Sequence, residues 1–172
     1  TRRIHTLLRK PRRGLIFRFI KKVCPILRVD EYNKAFMEFE AVSEGFKTSY
    51  RYQITDQVYK GFVKLFGDKN ALHTDEAYAV SHGFEACVMH GAILNGFVSH
   101  FIGMHFPGTQ ALLQSVNIQY KSACYLQDEI LVESTVVQKV NALKVIVMEL
   151  SLINLTRQNK AATAKVQVGW MP

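Results

Sequence analysis

Two hydrophobic periods follow one another in the middle of the chain. From Phe46 to Ile54 apolar and polar residues alternate, which predicts a half-buried β-strand. Directly afterwards Thr55 is placed to cap a helix that Gly67 ends. The apolar residues of this helix recur every three or four positions; they are Val58, Tyr59, Phe62, Val63 and Phe66. The pattern therefore predicts a strand followed at once by an amphipathic helix.

Two further helices are predicted after a polar loop over residues 68–75. A short one covers residues 76–81, and a longer one covers residues 91–104. The longer segment is apolar on nearly every side, which is typical of a central, buried helix. Gly96 and Gly103 would each cost this helix about 1 kcal/mol relative to alanine. We therefore expect both glycines to allow close packing against a sheet.

The last sixty residues have the pattern of four strands. Apolar residues alternate or cluster over residues 112–120, 130–140, 143–155 and 163–170, with a tight turn near Asn141. The order of one strand, then helices, then four strands predicts an α+β fold in which an antiparallel sheet carries helices on one face. At 172 residues the chain is long enough for one such domain.

Charge divides the chain into two parts. Although the net charge is +8, residues 1–30 hold ten of the 22 basic residues and one of the 14 acidic residues. This N-terminal arm carries +9 and residues 31–172 carry −1. A basic surface that binds nucleic acid across the whole domain is therefore not supported, and residues 1–30 are predicted to be a basic appendage.

The basic arm is open to several interpretations. It is amphipathic and poor in acidic residues, as organelle transit peptides are, but it contains no serine. It also suits a helix at a membrane surface, an extension that contacts RNA or a neighbouring subunit, or a solvated tail. No part of it approaches the roughly 20 consecutive apolar residues that a membrane-spanning helix requires.

The polar loop holds the best candidates for chemistry. Asp68 and His73 are five residues apart, so both can reach one small volume, where a carboxylate and an imidazole can exchange protons with a water molecule. The alternative is that Asp68 caps the following short helix and that His73 is an ordinary surface residue. His100 has the setting of a core or interface histidine, and Cys87 lacks a basic neighbour that would favour a thiolate.

Motifs around this loop resemble the MaoC-type branch of the hot-dog superfamily. The resemblance runs from Phe62 to Ala79, continues through His90–Leu94 and the turn at Phe106–Gly108, and covers roughly residues 45–170. Its centre is the pattern G-D-x-N-x-x-H-x-D followed by H-G. Ala71 stands where the family usually has proline, and Phe66 where it usually has a small residue.

The resemblance implies a single hot-dog fold, in which an antiparallel sheet wraps a long central helix and two copies dimerise. It implies catalytic positions for Asp68 and His73, and a thioester carbonyl bound by the Gly91 N–H. It also implies that Asn70 orients the loop and that Ser99 lines the substrate pocket. No metal or other cofactor is expected.

The activity that the resemblance implies is reversible dehydration of (3R)-hydroxyacyl thioesters to trans-2-enoyl thioesters, carried by CoA or acyl carrier protein. The basic arm adds a likeness to the mitochondrial dehydratases of fatty acid synthesis, so a mitochondrial location is expected, with a cytoplasmic one as the alternative. A structural subunit of a large, RNA-containing organellar assembly is the second hypothesis. A thioesterase, which uses a differently placed carboxylate, is the third.

Overall fold

The computed structural model describes residues 37–171, which form one antiparallel sheet with four helices. Residues 1–30, the predicted basic arm, lie outside the described residues. The strands are β1 (Lys47–Gln53), β2 (Ala111–Tyr120), β3 (Glu129–Val140), β4 (Val145–Asn154) and β5 (Asn159–Trp170). The helices are α1 (Asp56–Phe66), α2 (Ala71–Thr74), α3 (Glu76–Ser81) and α4 (Gly91–Met104). The predicted α+β fold is confirmed.

The order of strands across the sheet is β1-β3-β4-β5-β2, and every neighbouring pair is antiparallel. The long helix α4 packs against the inner face through one apolar stripe. The buried residues of that stripe are Ile93, Leu94, Phe97, Val98, Phe101 and Ile102. They meet the inward-facing residues of β3, β4 and β5, so the core lies between α4 and the sheet. No helix within residues 37–171 is long and apolar enough to cross a membrane.

Helix α1 has the ends that its sequence predicts. The hydroxyl of Thr55 accepts a hydrogen bond from the Val58 N–H, at 3.2 Å. Gly67 ends the helix at φ +69°, in the left-handed region that glycine adopts without strain. The predicted stripe is only partly covered, because Val58, Tyr59 and Phe62 pack against the core whereas Phe66 is 66% exposed.

We expected the two glycines of α4 to allow close packing against the sheet, and among the described residues this expectation is wrong. A Cβ atom added at Gly96 or Gly103 would meet nothing within 4 Å. The reason is that α4 is buried along one stripe rather than all round. Its opposite side, which carries Ala92, Asn95, Gly96 and Ser99, is exposed.

Two details of the predicted strands also change. A bulge between Leu113 and Ser115 shifts the register of β2 against β5. Leu112, which the alternation places beside Val116, therefore turns outward and is exposed. Leu143, predicted to begin a strand, instead ends a turn of 3₁₀ helix over Asn141–Leu143 and is exposed.

Candidate active site

The polar loop after α1 is organised by side chains that bond its own backbone. One carboxylate oxygen of Asp68 accepts a hydrogen bond from the Asn70 N–H at 3.2 Å. The side-chain oxygen of Asn70 then accepts from the Leu72 N–H at 3.0 Å and so caps α2, the one-turn helix that carries His73. Asn70 is therefore the cap of this helix. The short helix predicted over residues 76–81 is capped by Asp75, whose carboxylate accepts from the Tyr78 N–H at 3.0 Å, so the alternative in which Asp68 caps that helix is wrong. Asn70 thus orders the start of α2, whereas its predicted part in substrate binding stays a prediction.

His73 is held by a hydrogen bond from its own ring. The Nδ1 atom lies 2.7 Å from the carbonyl oxygen of Val88. A carbonyl oxygen only accepts hydrogen bonds, so Nδ1 must carry the proton and the lone pair of the neutral ring lies on Nε2. The same Val88 donates its N–H to the carbonyl of Leu72 at 3.0 Å, which fixes α2 against this strand-like segment. His73 therefore presents a proton-accepting nitrogen from a fixed ring.

His90 is a third member of the site, and sequence reasoning gave it no role. Its side chain is 3% exposed, and its ring centroid lies 3.8 Å from that of His73. Its Nε2 atom is 3.1 Å from the main-chain oxygen of Asp68 and 3.7 Å from a carboxylate oxygen of the same residue. Burial, and secondarily the neighbouring His73, lower the pKa of His90, so this ring is neutral near pH 7. The signal in the sequence was the H-G pair at the start of the predicted central helix.

Two imidazoles and one carboxylate at this spacing could in principle hold a metal ion. One ligand atom from each of Asp68, His73 and His90 lies within 4.8 Å of the others. His73 suits a ligand, because its Nδ1–H is already bonded to a carbonyl. His90 does not, because the Asp68 carbonyl requires the proton on Nε2, the nitrogen that faces the cluster. The hydrogen bonds therefore favour proton transfer over metal binding at these residues.

Gly91 begins α4 next to the histidine pair. No side chain caps this helix, and the Ile93 N–H of its first turn donates to the His90 carbonyl at 3.0 Å. Gly91 therefore lies at the positive end of the helix dipole, beside the histidine pair. A Cβ atom at Gly91 would lie 3.1 Å from the ring of Tyr120, so only glycine fits under that ring without displacing it. An oxygen that gains negative charge beside Gly91 would be stabilised there.

His73 lies between two cavities. One, of about 350 Å³, is lined by Gly91, Leu94, Met89 and other mainly apolar residues. The other, of about 930 Å³, is lined by three lysines of the surface around α1: Lys60, Lys64 and Lys69. His73 would therefore contact both an apolar group bound in the first cavity and an anionic group bound in the second.

The remaining candidates lie away from this cluster. Ser99 is eight residues beyond Gly91 on α4, about 12 Å along the axis at 1.5 Å per residue, and lines neither cavity that contains His73. Its predicted role in substrate binding stays a prediction. Burial raises the pKa of the Cys124 thiol to about 11 and also raises the pKa of Cys87, which opposes a thiolate nucleophile at either position.

Comparison with known proteins places this arrangement in a family. The sequence profile of the MaoC like domain matches residues 38–158. The chain belongs to the MaoC-like domain family. This span contains the whole of the polar loop, His90 and Gly91, so the predicted resemblance is confirmed.

Individual relatives of this MaoC-like domain carry hydratase and dehydratase names. An (R)-specific enoyl-CoA hydratase of Rhodospirillum rubrum is 29% identical over 98 residues, which are 57% of this chain and 68% of the relative. A mitochondrial 3-hydroxyacyl-[acyl-carrier-protein] dehydratase of Solanum lycopersicum is 36% identical over 73 residues, which span 42% of this chain and 43% of the relative.

Solved structures confirm the fold of the MaoC-like domain. The (R)-hydratase of Aeromonas caviae superposes with a TM-score of 0.71 at 21% identity, over 77% of this chain and 99% of that one. A protein of Archaeoglobus fulgidus superposes with a TM-score of 0.72 at 22% identity, over 92% of this chain and 94% of that one. The predicted hot-dog fold, with its sheet and long central helix, is therefore correct.

Proposed function

We propose that the chain is a hydro-lyase that reversibly dehydrates (3R)-hydroxyacyl thioesters to trans-2-enoyl thioesters. The observation that carries the proposal is the meeting of a carboxylate, an imidazole and a helix N-terminus at Asp68, His73 and Gly91. Relatives named as enoyl-CoA hydratases and 3-hydroxyacyl-carrier-protein dehydratases support the same reaction.

The roles of the three residues follow from their chemistry. In the direction of hydration, Asp68 and His73 hold a water molecule whose oxygen bonds to C3 of the enoyl group. Between them they take one proton from the water and return one to C2, so the elements of water are added and no net proton is consumed. The Gly91 N–H donates to the thioester oxygen, on which negative charge develops as C3 is attacked.

The direct test is hydration of crotonyl-CoA by the purified chain, followed as the loss of the enoyl-thioester absorbance. We expect turnover, with (3R)-hydroxybutyryl-CoA as the product, and loss of turnover in the Asp68→Asn variant. Asparagine keeps the oxygen that accepts from the Asn70 N–H, so the loop is retained while the charge is lost. A wild-type chain without activity on crotonyl-CoA or on longer enoyl thioesters would refute the proposed function.

The carrier of the acyl group is proposed to be anionic, either CoA or acyl carrier protein. Lysines line the larger cavity beside His73, and the phosphates of CoA and of a phosphopantetheine arm carry the charge that they attract. The relative from Solanum lycopersicum is named as mitochondrial, which together with the basic arm supports a mitochondrial location. Comparison of kcat/KM for crotonyl-CoA and for the crotonyl carrier protein decides between the carriers.

A homodimer is proposed as the working form. The side of α4 that carries Ala92, Asn95, Gly96 and Ser99 is exposed in the single chain, and small residues allow the close approach of a second copy. Such a copy would also cover the helix beyond Gly91, where the predicted pocket residue Ser99 lies. Sedimentation analysis tests this directly, since a monomer at micromolar concentration would contradict it.

A structural subunit of a large organellar assembly is the second candidate. The observation in its favour is the concentration of +9 within residues 1–30, which suits RNA, a membrane surface or a neighbouring subunit. Removal of residues 1–30 separates the two functions. A dehydratase retains turnover without these residues, whereas a structural subunit loses its place in the assembly and has no turnover to lose.

A further inference from the structure

His90 occupies a position between the two proposed catalytic side chains. Its ring faces His73 on one side and the ring of Phe62 on another, with centroids 3.8 Å and 4.7 Å away. The ring of Tyr59 lies further out, at 5.9 Å. The residue is almost wholly buried, and it immediately precedes Gly91 in the chain. It therefore contacts the loop, α1 and the helix start together.

Only one of the two nitrogens of the His90 ring makes a hydrogen bond within the described residues. Nε2 donates its proton to the main-chain oxygen of Asp68 at 3.1 Å. Nδ1 then has the lone pair, and among the described residues it has no hydrogen-bond partner. A buried polar atom without a partner costs stability, so packing alone would favour an apolar ring at this position. The histidine is better explained by the single bond that Nε2 makes.

That bond joins the two halves of the site. Asp68 carries the carboxylate, and Gly91 carries the N–H proposed to bind the thioester oxygen. A direct link from Asp68 to the residue before Gly91 sets the distance between carboxylate and N–H. Proton transfer to carbon requires this distance to be correct, since a displacement of about 1 Å can cost on the order of 100-fold in rate.

The uncharged state of His90 serves the same end. His73 must accept a proton during the reaction, and a positive ring with its centroid 3.8 Å away would oppose that step. Burial keeps the His90 ring neutral, and the proton that His73 gains makes charging of His90 still less favourable. His90 therefore bonds the Asp68 backbone without placing a positive charge beside His73.

We propose that His90 is a positioning residue of the site, whose Nε2–H holds the Asp68 backbone against the start of α4. This inference rests on the proposed dehydratase function, and it assigns His90 no contact with substrate. It explains why a buried histidine with one unpartnered nitrogen precedes the glycine of the central helix.

Two variants separate positioning from packing. His90→Gln places an amide nitrogen near the position of Nε2 and can donate to Asp68, whereas His90→Phe keeps the ring but has no donor. We expect His90→Gln to retain kcat within about fivefold, and His90→Phe to lose about 10- to 100-fold in kcat with KM changed less than threefold. In thermal unfolding His90→Phe should equal or exceed His90→Gln, because glutamine buries an amide oxygen that needs a partner whereas phenylalanine is wholly apolar.

A positioning role predicts that His90→Gln has the higher kcat although His90→Phe has an equal or higher Tm. If His90→Phe retains wild-type kcat, or if both variants lose activity in proportion to their stability, the proposal is wrong. His82→Asn is the matched control, since His82 is an exposed histidine whose Nδ1 also bonds a carbonyl oxygen, and it should leave kcat unchanged.

A measurement on the unmodified chain keeps this test separate from the proposed function. Imidazole ¹⁵N NMR should show the proton on Nε2 of His90 and on Nδ1 of His73. The opposite tautomer at His90 would overturn the positioning role whatever the enzyme does. If instead the tautomers are as expected and the wild type hydrates no enoyl thioester, the proposed function falls while the link between His90 and Asp68 stands.

Discussion

Replacement of His73 by asparagine is the sharpest test of the proposed chemistry. The side-chain nitrogen of asparagine lies near the position of Nδ1 in histidine, so it can still donate to the Val88 carbonyl that His73 bonds at 2.7 Å. What it lacks is Nε2, the atom proposed to exchange a proton with water. His73→Asn therefore removes the chemistry and retains the anchor.

The two ring nitrogens of His73 contribute to different quantities: Nε2 to kcat, and Nδ1–H to the free energy of unfolding. Loss of a general acid–base group lowers kcat about 10²- to 10⁴-fold, which raises the barrier by about 3–5 kcal/mol. His73→Ala should lower kcat equally, but it also leaves the carbonyl of the buried Val88 without its donor. That loss costs about 1–3 kcal/mol of unfolding free energy, or several degrees in Tm for a chain of this size.

The assay compares two quantities in the same preparations: kcat for hydration of crotonyl-CoA, and Tm by circular dichroism. Equal inactivity with unequal Tm is the expected result. A His73→Asn enzyme that keeps more than a tenth of wild-type kcat would refute proton transfer by Nε2. Equal Tm values for the two variants would show that the bond to Val88 does not hold the ring.

Three further outcomes are expected. Gly91→Ala should lower kcat/KM about tenfold, because the added Cβ lies 3.1 Å from the Tyr120 ring, and Tyr120→Ala in the same chain should restore much of the loss. Lys69→Glu should raise KM for crotonyl-CoA, with the effect shrinking as salt is added. Burial lowers the pKa of both His90 and His100, so the unfolded chain binds protons first on acidification. Stability is then full above about pH 6.5 and falls as pH drops through the folded pKa values, which urea unfolding at pH 7.5 and 5.5 would detect.

Helix ends were predictable from sequence wherever a capping residue and a long apolar stripe coincide. Thr55 and Gly67 fixed α1, and the span of α4 matches the predicted one. The one-turn helix α2 was missed because four residues cannot show a period of 3.6. Its only local signal was Asn70, a favoured N-cap residue.

Burial was less predictable than secondary structure. The segment that forms α4 is apolar on most sides, yet many of the residues on its exposed side are small, and composition alone does not distinguish a covered side from an open one. The outward turn of Leu112 depends on a bulge that no alternation pattern reveals, because the extra residue is defined only by pairing with β5. Both errors concern contacts between distant segments of the chain.

The site itself shows the same division between local and distant information. The loop motif brings Asp68 and His73 together in sequence, but the lone pair of His73 is directed by Val88, and the backbone of Asp68 is held by His90. All four residues lie within residues 68–91. Met89 in this segment donates its N–H to the carbonyl oxygen of Cys124 at 2.8 Å, which holds the segment against the connection between β2 and β3. The geometry of the site therefore depends on contacts inside one short segment more than on the outer face of the sheet. Substitutions on that face should change stability and leave kcat unaltered, whereas His90→Phe should lower kcat without a matching loss of stability.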